Sequence, residues 1–203
     1  MVAYSIEAAQ LSNCFDRIIV STDDQQIATI AEEFGAEVPF IRPSHLADDF
    51  STTLDVIQHA IRELELTSET NICCIYATAP FVTSEDLKSG LELLKIEDID
   101  YVFSATEYSF PIQRAFRLND INKVEMIQPE HINTRSQDLE KSYHDAGQFY
   151  WGNTDAYLSG QPMFSPQSIP IILPRHLVQD IDTPEDWQRA ELMYNAYIKG
   201  NNE

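Results

Sequence analysis

Apolar residues fall along the chain in two alternating rhythms. Short unbroken runs such as Ile18-Ile19-Val20 and Ile72-Cys73-Cys74-Ile75 read as strands covered on both faces. Between them the apolar positions recur at three- and four-residue intervals, as one face of a helix requires. The pattern predicts a helix over residues 4–11, a strand over 17–22 and a helix from Asp23-Asp24 to Phe34. That helix carries Ile27, Ile30, Ala31 and Phe34 inward, and Gly35 closes it. A short strand follows at 37–41. A helix then runs from about 53 to 66, with Leu54, Ile57, Ile61 and Leu64 as its stripe.

A strand at 71–76 runs into Ala77-Thr78-Ala79-Pro80. Thr83 or Ser84 caps a helix to Leu94, with Glu85 and Asp86 in its first turn, where acids suit the positive end of the helix dipole. Strands are predicted at 101–106, 148–151 and 169–173, and a short helix at 154–158. Residues 110–145 are polar and irregular, with a hairpin around Asn119 to Asn122. The last helix opens at Pro184 and turns Trp187, Ala190, Tyr194 and Tyr197 inward. Strand-helix alternation of this kind predicts an α/β fold with a mostly parallel, Rossmann-like sheet in three layers, one domain over residues 1–203, and sites beyond the carboxyl ends of the strands.

Composition narrows the chemistry. The chain has 203 residues, 43% of them hydrophobic, with 13 Lys+Arg against 33 Asp+Glu and a formal net charge of -20. A surface this acidic repels nucleic acid and anionic membranes, and an anionic substrate needs a divalent cation or a few placed arginines. No apolar run approaches membrane-spanning length and no secretory signal opens the chain, so a cytoplasmic protein is expected. The three cysteines have neither disulfide-framework nor zinc spacing and read as small apolar residues.

Asp180 and Asp182 in VQDIDTPEDW carry the sharpest chemical signal. Thr183, Pro184 and Asp186 are explained as a helix cap, a first helical residue and a capping-box acid. The two aspartates are not. In an extended segment residues i and i+2 share a face, so their carboxylates converge, and converging carboxylates are hard-oxygen ligands suited to magnesium. A solvated turn is the competing reading, and both stay open. Elsewhere, Arg42-Pro43 and Ser51-Thr52-Thr53 sit in a loop dense in hydrogen-bonding groups that serves equally as turn and cap. Arg135 and Arg175 are scarce cations that either pair with neighbouring acids or hold a substrate carboxylate bidentately. His144 beside Asp145 suits either proton transfer or a structural hydrogen bond.

Four stretches in order, DRIIVSTDDQQIATIAEEFGAEVPFIRPSHLADD, IYATAPF, NTRSQDLEKSYHDAGQFYWG and LPRHLVQDIDTPEDW, make the chain resemble the acylneuraminate cytidylyltransferases, and within them the pseudaminic acid branch. The resemblance implies a nucleotidyltransferase-type fold, a homodimer, and transfer of CMP from CTP to a nine-carbon α-keto acid sugar with release of pyrophosphate. It implies magnesium on Asp180 and Asp182, which act as catalytic ligands, and Arg42, Ser51, Thr52 and Thr53 around the nucleotide. Tyr76, Gln148, Tyr150 and Arg175 fall to the sugar pocket, with Arg135 reaching across the dimer from an excursion spanning about 110–147. Family members begin with a strand and a glycine-rich basic loop that cradles the triphosphate. The sequence aligns just after that loop, so a fold lacking its first strand, with weak or no turnover, is expected. A nucleotide-sugar-dependent glycosyltransferase and a non-catalytic dimerising paralogue are the alternatives.

Overall fold

The computed structural model describes residues 1–48 and 50–200, and their side chains up to residue 197. Its main sheet has four strands, β1 (Asn71–Ile75), β2 (Tyr101–Glu107), β5 (Tyr143–Asn153) and β6 (Ser168–Leu173), in the order β1-β5-β2-β6. β2 and β6 are parallel, whereas β5 runs antiparallel to both of its neighbours. Three of the four strands therefore point one way. The first six residues of β2 are all buried, as a strand covered on both faces requires. A separate hairpin pairs β3 (Phe116–Leu118) with β4 (Val124–Met126). Asn119 turns it, its side-chain oxygen accepting from the Ile121 and Lys123 amides.

Helices α1 (Val2–Ser12), α2 (Gln25–Glu33), α3 (Thr53–Glu63), α4 (Ser84–Leu94), α5 (Thr154–Ser159) and α6 (Pro184–Gly200) complete the chain. Local chemistry sets their starts. Asp24 accepts from the Gln26 and Ile27 amides, Thr52 and Asp55 form a capping box, and Thr83 accepts from the Asp86 amide. Leu87, Leu94, Val102, Phe149 and Trp151 form the core between α4 and one sheet face. Ile57 and Ile61 of α3 pack with Tyr101 and Tyr157 on the other.

Several expectations need correction. The segments 17–22 and 37–41 form only one parallel bridge, Ile19 to Glu37. Its bonds run from the Val20 amide to the Glu37 carbonyl and from the Glu37 amide to the Ile18 carbonyl. The peptide groups of Ile19 face away from residue 37, and no strand meets them among the described residues, so no ladder propagates. The α2 stripe is also rotated. Ala28 and Ala31 are its buried residues, while Ile27, Ile30 and Phe34 are each over 40% exposed. In α6, Ala190 is buried and Tyr194 packs edge-on against Tyr4, but Trp187 faces outward. The strand expected at 148–151 is 11 residues long and reversed. No helix among the described residues is long and apolar enough to cross a membrane.

Candidate active site

β1, β2 and β6 end at the same edge of the sheet, and β5, being reversed, begins there. That edge gathers side chains from four elements. Tyr76 follows β1, and its phenol shares a 2.7 Å hydrogen bond with the Thr53 hydroxyl at the start of α3. Its ring lies 5.3 Å from that of Tyr150 on β5. The backbone continues the link, with the Tyr76 amide donating to the Gln148 carbonyl at 2.9 Å.

The path of β5 through the site is irregular. Its register with β2 shifts between Phe103 and Ala105, so Tyr150 faces Phe103 while Asp145 already faces Ala105. Ser104, fully buried, fills the gap, its hydroxyl oxygen accepting from both the Gln148 and Phe149 amides. Gly147 supplies a φ of 63° for the turn, a conformation that a side chain disfavours. The Asp145 carboxylate closes it, Oδ1 accepting from the Gly147 amide at 2.9 Å and Oδ2 from the Tyr150 phenol at 2.6 Å. Burial first, and then the Asp145 carboxylate, push the Tyr150 phenol far above its ordinary pKa, so it remains a donor. His144 points elsewhere. Its Nδ1 is engaged with the Asp145 carbonyl and its ring packs on Tyr108.

Gln148 ties this strand to the segment bearing the aspartate pair. Its Nε2 donates to the Leu177 carbonyl at 2.6 Å, and its Oε1 is buried without a partner among the described residues. Three residues on, Asp180 and Asp182 are both exposed and flank a half-buried Ile181, the alternation an extended segment produces. Asp182 lines an open cleft with Thr183, Pro184 and Trp187. The capping box at the start of α6 is formed, the Thr183 amide and hydroxyl both donating to Asp186 and the Asp186 amide returning to the Thr183 hydroxyl. Among the described residues no group of three or more acids, histidines or cysteines could enclose a metal. Two carboxylates that leave the remaining positions to phosphate and water suit magnesium, which keeps several waters and takes few protein ligands.

The remaining anticipated residues are not drawn into this cluster. Arg42 donates its amide to the Thr22 carbonyl and pairs loosely with Asp23 at 3.6 Å, and its Nε is buried without a partner among the described residues. Ser51 is spent on its own loop, bonded to Asp48 and the His45 carbonyl, and Thr52 is spent on capping α3. Arg135 is clamped bidentately on Asp138, within the excursion and exposed. Arg175 makes no ion pair among the described residues and lies near enough to Lys141 for its charge to be felt there. Asp145 escaped the sequence reading, although Asp-Ala-Gly carries a turn signature: the side chain two residues before a glycine can accept its amide.

A family model described as cytidylyltransferase matches residues 1–197. The chain belongs to the cytidylyltransferase family. It is 42% identical over 198 residues to a pseudaminic acid cytidylyltransferase from Campylobacter jejuni, covering 97% of this chain and 85% of that relative. An N-acylneuraminate cytidylyltransferase from Escherichia coli is 28% identical over 191 residues, covering 94% of the chain and 45% of the relative. Among solved structures, a CMP:2-keto-3-deoxy-manno-octonic acid synthetase complexed with CTP superposes with a TM-score of 0.62 at 13% identity, covering 96% of this chain and 88% of that one. That likeness shows the α/β fold with its mostly parallel sheet, and the family places the chain among nucleotidyltransferases.

Proposed function

We propose that the chain transfers CMP from CTP to a nonulosonic acid of the pseudaminate type. The observation that carries this reading is 42% identity, over 97% of the chain, to a pseudaminic acid cytidylyltransferase. The sugar's anomeric oxygen attacks the α-phosphorus, the bond from that phosphorus to the β-phosphate bridge breaks, and pyrophosphate leaves as the anomeric proton passes to solvent. Positioning and charge neutralisation do most of such work.

Asp180 and Asp182 would hold magnesium beside the phosphates, where the ion supplies positive charge that a chain of net charge -20 lacks. Gln148, by holding the Leu177 carbonyl, fixes the approach of that segment to the sugar side. Thr53 links the nucleotide side, with Arg42 and Ser51-Thr52, to the Tyr76-Tyr150 wall of the sugar pocket. Arg175 takes the sugar carboxylate. Arg135 serves a neighbouring copy's pocket in a homodimer, a role supported by exposed Phe110, Phe116, Leu118, Ile121, Val124, Ile127 and Ile132 on the same excursion. A cytoplasmic location, where CTP is supplied, goes with this reading.

The test is pyrophosphate release from CTP and magnesium with pseudaminic acid, alongside N-acetylneuraminic acid, with the CMP-sugar identified by mass. Weak but measurable release with the former, lost in Asp182→Asn, is expected. Sugar transfer from a nucleotide-sugar donor without pyrophosphate would overturn the reading, and light scattering reports the dimer.

A further inference from the structure

Asp145 has no part in the reading above, yet the fold fixes it with care. Its carboxylate is exposed at the site edge of the sheet, while its bonding partner Tyr150 is 4% exposed. Each oxygen already accepts one hydrogen bond, from the Gly147 amide and from the Tyr150 phenol. Those two bonds set the plane of the carboxylate and leave one lone pair on each oxygen free. A carboxylate so held is acceptor-only. A carboxylate held by two bonds in this way is a strong, oriented hydrogen-bond acceptor.

Asp145 faces Ala105 across the β2–β5 ladder, and two residues along β2 Glu107 is paired with Lys141 at 3.0 Å, close to Arg175. Glu107 neutralises Lys141, so Arg175, near it and without an ion pair among the described residues, is the cation left available. A sugar that bears both a carboxylate and neutral donors has only one favourable orientation against such a pattern.

We propose that Asp145 is a specificity-determining contact for the sugar. Its carboxylate accepts hydrogen bonds from hydroxyl or amide N–H groups of the sugar ring, and its charge keeps the sugar's own carboxylate toward Arg175. The inference rests on the assignment of this edge to a nonulosonic acid. Tyr150 acts here as a positioning residue, holding the carboxylate in plane.

Asp145→Asn and Tyr150→Phe in the full chain test it, with sugar and CTP varied separately in the pyrophosphate assay and sugar binding followed by saturation-transfer NMR. Asp145→Asn is expected to raise the KM for sugar about tenfold or more, as loss of a charge-assisted hydrogen bond does, and to move the KM for CTP by less than about twofold. Tyr150→Phe leaves the carboxylate held by the Gly147 amide alone and gives a smaller rise in the same constant, so the proposal stays testable if Asp145→Asn folds poorly. An unchanged sugar KM in both variants, or a change confined to CTP, overturns the proposal while leaving the cytidylyltransferase reading intact. A wild-type chain that neither binds the sugar nor releases pyrophosphate overturns the reading beneath it, and the proposal with it.

Discussion

Gly90 sits in the middle of α4, facing β5 from the side opposite the site. A Cβ placed on it would lie 2.5 Å from Cδ1 and 2.7 Å from Nε1 of Trp151, and 3.3 Å from Cε2 of Phe149. Carbon atoms in contact normally rest about 3.5–4.0 Å apart, so the indole must retreat by about 1 Å. It has little room to do so, since Trp151 is 1% exposed and stacks on Phe15 with centroids 5.1 Å apart and planes within 3°. Two terms oppose each other in Gly90→Ala. Helix propensity favours alanine by about 1 kcal/mol, and overpacking a filled core costs about 1–3 kcal/mol. With the obstacle a rigid, fully buried ring, the cost falls in the upper part of that range, and a net loss of about 1–2 kcal/mol is expected. For a chain of this size that lowers Tm by about 2–8 °C, and the urea midpoint by about 0.5–1 M at a slope near 2 kcal/mol/M. The site should feel it as well. Phe149 and Trp151 face α4 while Gln148 and Tyr150 alternate with them toward the opposite face, so a displaced indole shifts the strand that carries the proposed sugar contacts, and pyrophosphate release should fall. A midpoint equal to or above wild type would refute the packing argument.

Two further outcomes follow from other contacts. Thr53→Val and Tyr76→Phe each delete one side of the 2.7 Å bond between α3 and the end of β1. A double-mutant cycle in urea should return a coupling of about 1 kcal/mol, and additive losses would show that the bond contributes nothing. Raising the pH should destabilise the fold between about pH 9 and 12. Burial pushes the Cys74 thiol and the Tyr101 phenol up to about 12 from ordinary values of 9.0 and 10.0. The unfolded chain therefore sheds these protons first, so rising pH favours unfolding through that window, and circular dichroism should show the midpoint flat from pH 7 to 8.5 and falling beyond it. For the same reason Cys73 and Cys74 should resist a thiol reagent at pH 8 until denaturant is added, and rapid labelling of either in the folded chain would contradict the packing of these half-buried side chains against the cores on the two sheet faces.

The elements easiest to read from the sequence were those whose identity is local. α3, with Leu54, Ile57, Ile61 and a Thr52-Asp55 cap, and β2, opening on Tyr101-Val102-Phe103, announce themselves through spacing and end chemistry. Which face of α2 turns inward was misread because Ile27, Ile30 and Phe34 outweigh Ala28 and Ala31 in hydrophobicity, whereas close packing against α1 admits only small residues. Residues 17–22 and 37–41 have strand composition, but a ladder needs partners, and partnership is not written in either segment. The direction of β5 was equally invisible, since alternation is the same read forwards or backwards. In the site, the family resemblance pointed to Tyr76, Gln148 and Tyr150, which the fold does bring to one edge. Asp145 was missed because its value comes from a turn that folds residue 145 back onto residue 150.

The length and register slip of β5 explain why so much of the candidate pocket, at the edge where β1, β2 and β6 end, comes from one strand. β5 enters there and lays down residues 145 to 150 in succession, and its register slip at Ser104 lets an exposed carboxylate and a buried phenol meet five positions apart. The price is negative charge in the wrong place for anionic reactants. On the proposed assignment, the exposed Asp145, Asp180 and Asp182 all border the place of a triphosphate and a sugar acid. Electrostatics tolerates this only if each carboxylate meets something that is not an anion: a divalent ion at the aspartate pair, neutral donors of the sugar at Asp145. Replacing Asp145 by Lys separates that division of labour from simple loss of contact. It would attract the sugar carboxylate to the wrong side, so nonproductive binding should grow, with kcat falling while sugar affinity holds or improves. A variant whose kcat and sugar affinity fall together would show that the charge at this position has no orienting role.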